Sequence, residues 1–479
     1  MLLLRYLLAG VLAAAAQRDA LLPASALRAD LAVLRQVLEE GHSGLRRYTT
    51  AAEFNQAVAA ADRRLAAPMT SAQLYRVLAP LLALVKCGHT MLVLSDSLRQ
   101  HLVTEERLLP FRVRFVGGAP FVVRDFSSDS GKVAGFELRS INGRSVDSLV
   151  GLLLAGTSAD GDIETWKRAA LSDFRFATNL VALTGIRAPY QLVLRKPSTG
   201  RLVRLRSTGL TLPDLRTAAR ARYPDDSLPT PAAQLELLRD GRIARMTIRR
   251  FIDPADSARG ELFPEFLARA FTTLRDRRTA ALVIDLRDNG GGEDAYGKLL
   301  LSYLVARPFD YYRDLVLNGR EFSFRRLTRT MDDIPPGFAR PGPDGKLHGV
   351  THPNLGRQLP SAPGFTGPVV VLMNGGSVST TAEFISMAHS ERRATFVGEE
   401  AGGAYLGNTS GFEAEVVLPN SKLVLYLPLI SYYLAATPDL DPRHGVAPDY
   451  PVAPTVEDLM AGRDPVWEKG LALALSGVS

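Results

Sequence analysis

Residues 374–384 read Asn-Gly-Gly-Ser-Val-Ser-Thr-Thr-Ala-Glu-Phe, directly after the apolar run Pro-Val-Val-Val-Leu-Met at 368–373. An unbroken apolar run of that length predicts a buried strand. A glycine turn follows, and the serines and threonines mark the start of a helix. A strand, a tight turn and a helix in that order lift one side chain out of the backbone. They surround it with N–H groups that the first helical turn leaves unbonded. Ser379 is the hydroxyl best placed for this, although Ser377, Ser379 and Thr380 also read as ordinary helix caps.

A second element of the same kind lies upstream. The run Ala-Leu-Val-Ile-Asp-Leu at 281–286 leads into Arg287-Asp288-Asn289-Gly290 and two more glycines. Two glycine-rich strand ends in one α/β domain point to a site, because parallel sheets bind ligands beyond the C-terminal ends of their strands. Three glycines in a row also suit a phosphate nest, but no Gly-Lys-Ser/Thr follows here. A serine hydroxyl becomes a nucleophile only when a base removes its proton. It also needs donors where negative charge grows on the attacked oxygen. The N–H of Thr380, with one from Gly290 or Gly291, suits that second role. The expected chemistry is that of a serine hydrolase.

The chain has 479 residues, enough for two to four domains, and its 46% hydrophobic and 22% charged content is that of a folded protein. The formal net charge is +7, but no lysine-arginine block stands beside interleaved aromatics, so no nucleic-acid partner is expected. The positive sign weakly favours anionic surfaces, a membrane surface among them, and acidic substrates. Residues 1–16 carry Arg5, an apolar stretch at 7–12 and the small residues Ala14-Ala15-Ala16, the pattern of a signal peptide, with a membrane anchor the alternative although the run is short for spanning. An exported, periplasmic or secreted protein follows from that reading. Cys87 is the only cysteine, so the chain has no internal disulfide and Cys87 reads as core filler. It makes a poor partner for His89, since residues two apart on a helix do not face each other.

Periodicity divides the chain. Residues 17–109 are mostly helical, with Leu31, Leu34 and Leu38 on one stripe and a helix over 74–86 that contains Pro80. A short strand over 90–94 follows. Residues 110–207 change to β patterning, with strands near 111–115, 120–124, 136–141, 180–183 and 190–194 and a helix at 146–153. Four prolines mark 208–240 as a linker or surface loop. An α/β core occupies 241–479, with strands at 243–248, 281–286, 368–373 and 394–397, helices near 257–275, 295–305 and 380–390, and two hairpin-like strands at 412–418 and 422–428. An insertion at about 307–364, rich in aromatics and arginine, reads as a lid or substrate wall. Its basic stretch at 320–329 favours acidic or carboxyl-terminal groups.

The base is one of seven histidines. His389 is ten residues from Ser379 on the same helix, about 15 Å along the axis, and is too far. His348 and His352 fall in the insertion. His89 stands at a helix end after Cys87-Gly88, and His444 lies in a loop with acids close by. No HExxH or paired cysteine–histidine pattern occurs, so neither a metal nor any other cofactor is expected.

The segments 283–292 and 369–384, together with Gly445-Val446-Ala447-Pro448-Asp449, resemble the S41 serine peptidases, the family of the carboxyl-terminal processing proteases and the tricorn core. The likeness runs from about Leu27 to Leu475. It implies a ClpP/crotonase-like α/β catalytic core, a helical N-terminal region and a β-rich PDZ-like module over 110–207, where the Ile141-Asn142-Gly143 turn is the point of similarity. The family's Asn-x-x-Ser-x-Ser stretch, with a glutamate four residues on, maps onto Asn374, Ser379 and Glu383. The nucleophile is thus Ser379, with Ser377 the alternative in a shifted register. The serine–lysine style of the family does not fit, because Ala404 stands where its lysine would be. The histidine style does: Gly88-His89-Thr90 is similar to the element that carries the base. The orienting acid of that style comes before Gly-Val-x-Pro-Asp. Here Pro442 occupies the place, leaving the adjacent Asp441, Asp439, or a plain histidine–serine dyad. The resemblance implies a serine-type peptidase, an endopeptidase or a tail-specific processing enzyme acting on peptides or unfolded proteins. The alternative is an inactive exported peptide-binding or scaffold protein on the same fold.

Overall fold

The computed structural model describes residues 20–127, 132–224, 231–253 and 261–477. The signal segment expected over 1–16 lies outside the described residues. Among those described, no helix is long and apolar enough to cross a membrane.

The front of the chain folds as three helices, Ala24–Gly41, Ala51–Arg64 and Ser71–Ala83. The second and third start at reciprocal capping boxes, Thr50 with Glu53 and Thr70 with Gln73, which satisfy the orphan donors of the first turn. Pro80 is accommodated inside the third helix, three residues before its end. The strand Met91–Val93 follows. It does not stay with the helices but pairs antiparallel with Val424–Leu434, setting Leu92 opposite Leu425.

Residues 110–207 form an antiparallel sheet in the order Phe111–Val116, Ala119–Asp125, Glu137–Ile141, Tyr190–Arg195, Leu202–Ser207. The helix Val146–Ala155 packs on it. The strand expected at 180–183 is instead helical, a π-turn over Leu180–Thr184 that continues the helix Phe174–Asn179. Its four apolar residues fit a buried helical turn as well as a strand, and length alone does not separate the two.

The segment 208–240 is not a bare linker. Leu212–Arg222 is a helix with Pro213 in its first turn, where a missing N–H costs nothing. Ala233–Leu238 is a strand paired antiparallel with Ile243–Ile248. It forms one edge of the core sheet, whose order is Tyr450–Pro451, Thr395–Gly398, Val369–Met373, Ala281–Asp285, Ile243–Ile248, Ala233–Leu238, parallel apart from that last strand. Every residue of the two central strands, Ala281–Asp285 and Val369–Met373, is buried, as their apolar runs require.

A second, antiparallel sheet of seven strands stands against this core. Its order is Thr328–Met331, Thr409–Val417, Val424–Leu434, Tyr312–Leu317, Leu347–Gly349, Ala339–Pro341, with Met91–Val93 added on Val424–Leu434. Four of these strands come from the insertion at 307–364, so that segment is built into the framework rather than hung over it. One apolar core joins Leu34 and Leu38 of the front helices, Leu138 and Leu149 of the middle sheet, and Leu425 and Leu427 of this sheet. The front helices, the middle module and the α/β core are thereby held in one arrangement.

Candidate active site

The two central strands end side by side, and their glycine turns are tied together. Asn374 Oδ1 accepts the N–H of Asp288 at 2.9 Å and that of Gly376 at 3.0 Å, while its Nδ2 donates to Asp288 Oδ1 at 3.1 Å. Asn289 is fully buried. It donates to the Ile248 carbonyl and accepts the Gly291 N–H, each at 2.9 Å. These side chains do for the turns what a sheet ladder does for strands: they satisfy the backbone groups and fix its path.

Ser379 sits where the second turn becomes the helix Thr380–Ser390, at φ 57° and ψ −132°. A non-glycine residue rarely adopts this conformation, and such strain persists only where the surroundings dictate it. Gly291, at φ +93°, lies directly behind it. A Cβ on that glycine would fall 2.7 Å from Ser379 Cβ and 3.1 Å from Oγ.

The Ser379 hydroxyl meets the imidazole expected from the far end of the chain. His89 Nε2 is 3.3 Å from Ser379 Oγ, across 290 positions of sequence. The cause is the strand that follows His89. Pairing of Met91–Val93 with Val424–Leu434 carries the residues before it onto the core, and Cys87 Sγ donates to the Thr409 carbonyl at 3.3 Å to secure the same turn. Burial, reinforced by the charge of Asp160, pushes the Cys87 thiol up to about 12, so it is an inert anchor and not a nucleophile.

Ser377 is the structural serine of the pair. It is fully buried, donates to the Leu286 carbonyl at 2.8 Å and accepts the Asn374 N–H at 3.1 Å. The Thr380 N–H belongs to the first turn of its helix and has no intrahelical partner. Gly290 is exposed. The expectation for Gly291 needs correction, because its N–H is already donated to Asn289. Its contribution is steric room beside Ser379 and the Thr380 N–H.

The acid expected near the C-terminus does not reach the imidazole. Asp441 is exposed, and its carboxylate accepts the Arg443 N–H within its own loop at 2.9 Å. Asp439 accepts the Tyr405 hydroxyl at 2.8 Å. His89 Nδ1 is buried and makes no hydrogen bond. Pro442 restricts the loop backbone next to Asp441, and the Arg443 cap holds that carboxylate in its own loop. His444 pairs with Glu400 at 3.0 Å instead of with Ser379.

An acid that the sequence reading passes over does enter the site. Asp160 is 4% exposed, and its carboxylate accepts the N–H of Gly88 at 2.7 Å. It stands in Ser-Ala-Asp-Gly-Asp, a loop with no local feature to mark it. Glu383 is likewise buried. Tyr312 and Asn408 each donate to it at 2.8 Å. Burial, and then the charge of Asp294, push its carboxyl up to about 7.

Ser379 and His89 open onto a cleft of about 400 Å³ whose lining includes Glu293, Asp294, Tyr312, His352, Thr380, Glu413 and Tyr432. Asp294 lies 3.2 Å from the Tyr312 oxygen, whose proton goes to the nearer Glu383, and faces His352 Nε2 at 3.1 Å. The expected basic selectivity from 320–329 is not what lines it. Arg325 pairs with Asp333 and Arg329 with Asp96, while among the described lining residues the charged ones are acids and histidines.

Residues 242–452 match the model of peptidase family S41. Among solved structures, the chain is similar to mature CPAF complexed with lactacystin, at 18% identity and a TM-score of 0.63, over 94% of this chain and 97% of that one. It is also similar to a serine-to-alanine mutant of CPAF, at 17% identity and a TM-score of 0.62, over 91% of this chain and 94% of that one. At these identities the likeness establishes a common fold spanning the front helices, the middle sheet and the core. No curated protein matches the sequence. The α/β core that carries Ser379 is thus the part of the chain that matches peptidase family S41.

Proposed function

We propose that this protein hydrolyses peptide bonds through an acyl-enzyme on Ser379, with His89 as general base. The observation that carries the reading is the 3.3 Å approach of His89 Nε2 to a strained, cleft-facing serine hydroxyl. In the cycle, Ser379 Oγ adds to the scissile carbonyl while Nε2 takes its proton. The N–H groups of Thr380 and Gly290 receive the oxyanion. The imidazolium returns the proton to the leaving amine, and water, deprotonated by the same nitrogen, releases the acyl group. At 3.3 Å the resting contact is longer than a strong O–H···N bond. Such contacts commonly tighten when substrate binds.

The substrate is a peptide or an unfolded protein segment that fits an open cleft, and the site of action is outside the cytoplasm, as residues 1–16 suggest. Full-length protein should hydrolyse a denatured-protein substrate and label with a fluorophosphonate, whereas Ser379→Ala should lose both by at least about a thousandfold with an unchanged melting temperature. Retention of peptidase activity in that variant would refute the assignment. The competing reading is a peptide-binding protein without turnover, favoured by the unbonded Nδ1 of His89. That protein would bind peptide and leave the probe unreacted.

A further inference from the structure

We propose that Asp160, in the middle module, is the acid that positions and charges His89, the part expected of Asp441; the inference rests on the hydrolase reading above. Four observations converge. The first is the need: His89 Nδ1 is buried with no partner, and a buried imidazole N–H without an acceptor is costly. The second is place. A carboxylate oxygen of Asp160, a ring nitrogen of His89 and Cys87 Sγ lie within 4.8 Å of one another, and Asp160 Oδ1 already holds the N–H of Gly88, the residue before His89.

The third is charge. Among the described residues, neither lysine nor arginine forms a salt bridge with Asp160, although it is 4% exposed. A buried carboxylate without a cation is unfavourable until one forms beside it. The imidazolium that appears at His89 during catalysis is that cation. The neighbouring groups do not compete for the role. Cys87 and Tyr48 are kept protonated, chiefly by burial, and Glu383 is itself an acid whose carboxyl is pushed upward. Lys86 and Arg443 face the other way, onto Asp162.

The fourth is rigidity. The loop bearing Asp160 is clamped on both sides. Gly161 donates its N–H to the Lys86 carbonyl at 3.2 Å, and Asp162 donates its N–H to the Arg443 carbonyl at 2.8 Å. Gly161 has φ +55°, and a Cβ there would lie 2.1 Å from the Arg443 oxygen. The Asp162 carboxylate then bridges Lys86 and Arg443. Asp160 is therefore a fixed charge, within a water's breadth of the imidazole. It holds the tautomer with the proton on Nδ1 and leaves the Nε2 lone pair toward Ser379.

The test is the rate of fluorophosphonate labelling of the full chain, followed from pH 5.5 to 9 for the wild type, Asp160→Asn, Asp160→Glu and Asp441→Asn. Asparagine keeps an oxygen for the Gly88 N–H and removes only the charge. The expected result for Asp160→Asn is a loss of about tenfold or more and an acid limb moved to lower pH, since removing an anion beside an imidazole disfavours its protonated form. Its melting temperature should be unchanged, Asp160→Glu should recover part of the rate, and Asp441→Asn should label like the wild type. A wild-type rate and midpoint in Asp160→Asn would overturn the inference, as would transfer of the loss and the shift to Asp441→Asn. Failure of the hydrolase reading looks different: the wild type would not label, or His89→Ala would label as fast, and the inference would fall with it.

Discussion

At Ser379 the backbone stores strain that Gly291 makes room for. Gly291→Ala puts a Cβ 2.7 Å from Ser379 Cβ on a residue at φ +93°, costing about 1–3 kcal/mol in backbone conformation alone. The expected outcome is a protein that melts a few degrees lower and labels at least about a hundredfold more slowly, read by calorimetry and probe kinetics. His42 is a second residue with a defined consequence. It is 1% exposed and contacts Thr90, the neighbour of His89, through Nε2 at 2.8 Å. Burial pulls it down to about 4. Between about pH 4 and 6.5 the unfolded chain therefore binds a proton that the native state refuses. Its contribution is fully present above pH 6.5 and is lost as the pH falls toward 4, on the order of 3 kcal/mol. His42→Gln should flatten the pH dependence of the melting temperature in that window. The serine and the histidine of the site were legible because each carries a local signature, a glycine turn or a Gly-His-Thr run. Asp160 was not, because its meaning lies in the fold that lays its loop against Gly88.

Among the elements, the long, fully buried runs were legible as strands, whereas the four-residue apolar run at 180–183 fits a helical turn equally well. The strands Ala281–Asp285 and Val369–Met373 are the clearest cases, since two-sided burial leaves no other composition open to them. The 208–240 segment is more ordered than its prolines imply, because proline marks a helix start as well as a break. Pro213 is compatible with a helix start, and the alternation in Ala233–Leu238 is that of a half-exposed edge strand. The strands of the insertion were not legible for a related reason. Its strands are short, and each is stable only against a neighbour that the sequence does not reveal. The acidic wall of the cleft comes from Glu413 on the insertion's sheet and from Glu293 and Asp294 at the start of the helix Asp294–Ser302, while the insertion itself supplies Tyr312 and His352. Glu293 and Glu413 are exposed, and Asp294 faces His352. Peptides with lysine or arginine near the scissile bond should therefore be cleaved with a KM about three- to tenfold lower than acidic ones, and the difference should shrink between 0.05 and 0.5 M salt. An equal KM for the two, or a preference for acidic peptides, would show that the cleft charges do not select substrate.

For the whole molecule, formal charge and local charge have opposite signs. The chain carries +7 in total, while the ionisable side chains lining the cleft are acids and histidines, so the net charge does not describe the cleft. The core has its own tie to the C-terminal helix Pro465–Ser476: Arg287 pairs with both Asp285 and Asp464 at 2.7 Å.

The Lys86–Asp162–Arg443 bridge joins one residue from the helical front, one from the middle module and one from the core loop. His89, Asp160 and Ser379 are distributed among the same three parts. No fragment cut at a module boundary contains a complete proton-transfer apparatus, even though the nucleophile's own domain matches a peptidase family. During synthesis the front and middle parts emerge before residue 379 is made, so the nascent chain cannot bring His89 to Ser379 until its last third has been added. Assembly of the site is thus a property of the chain folded as a whole.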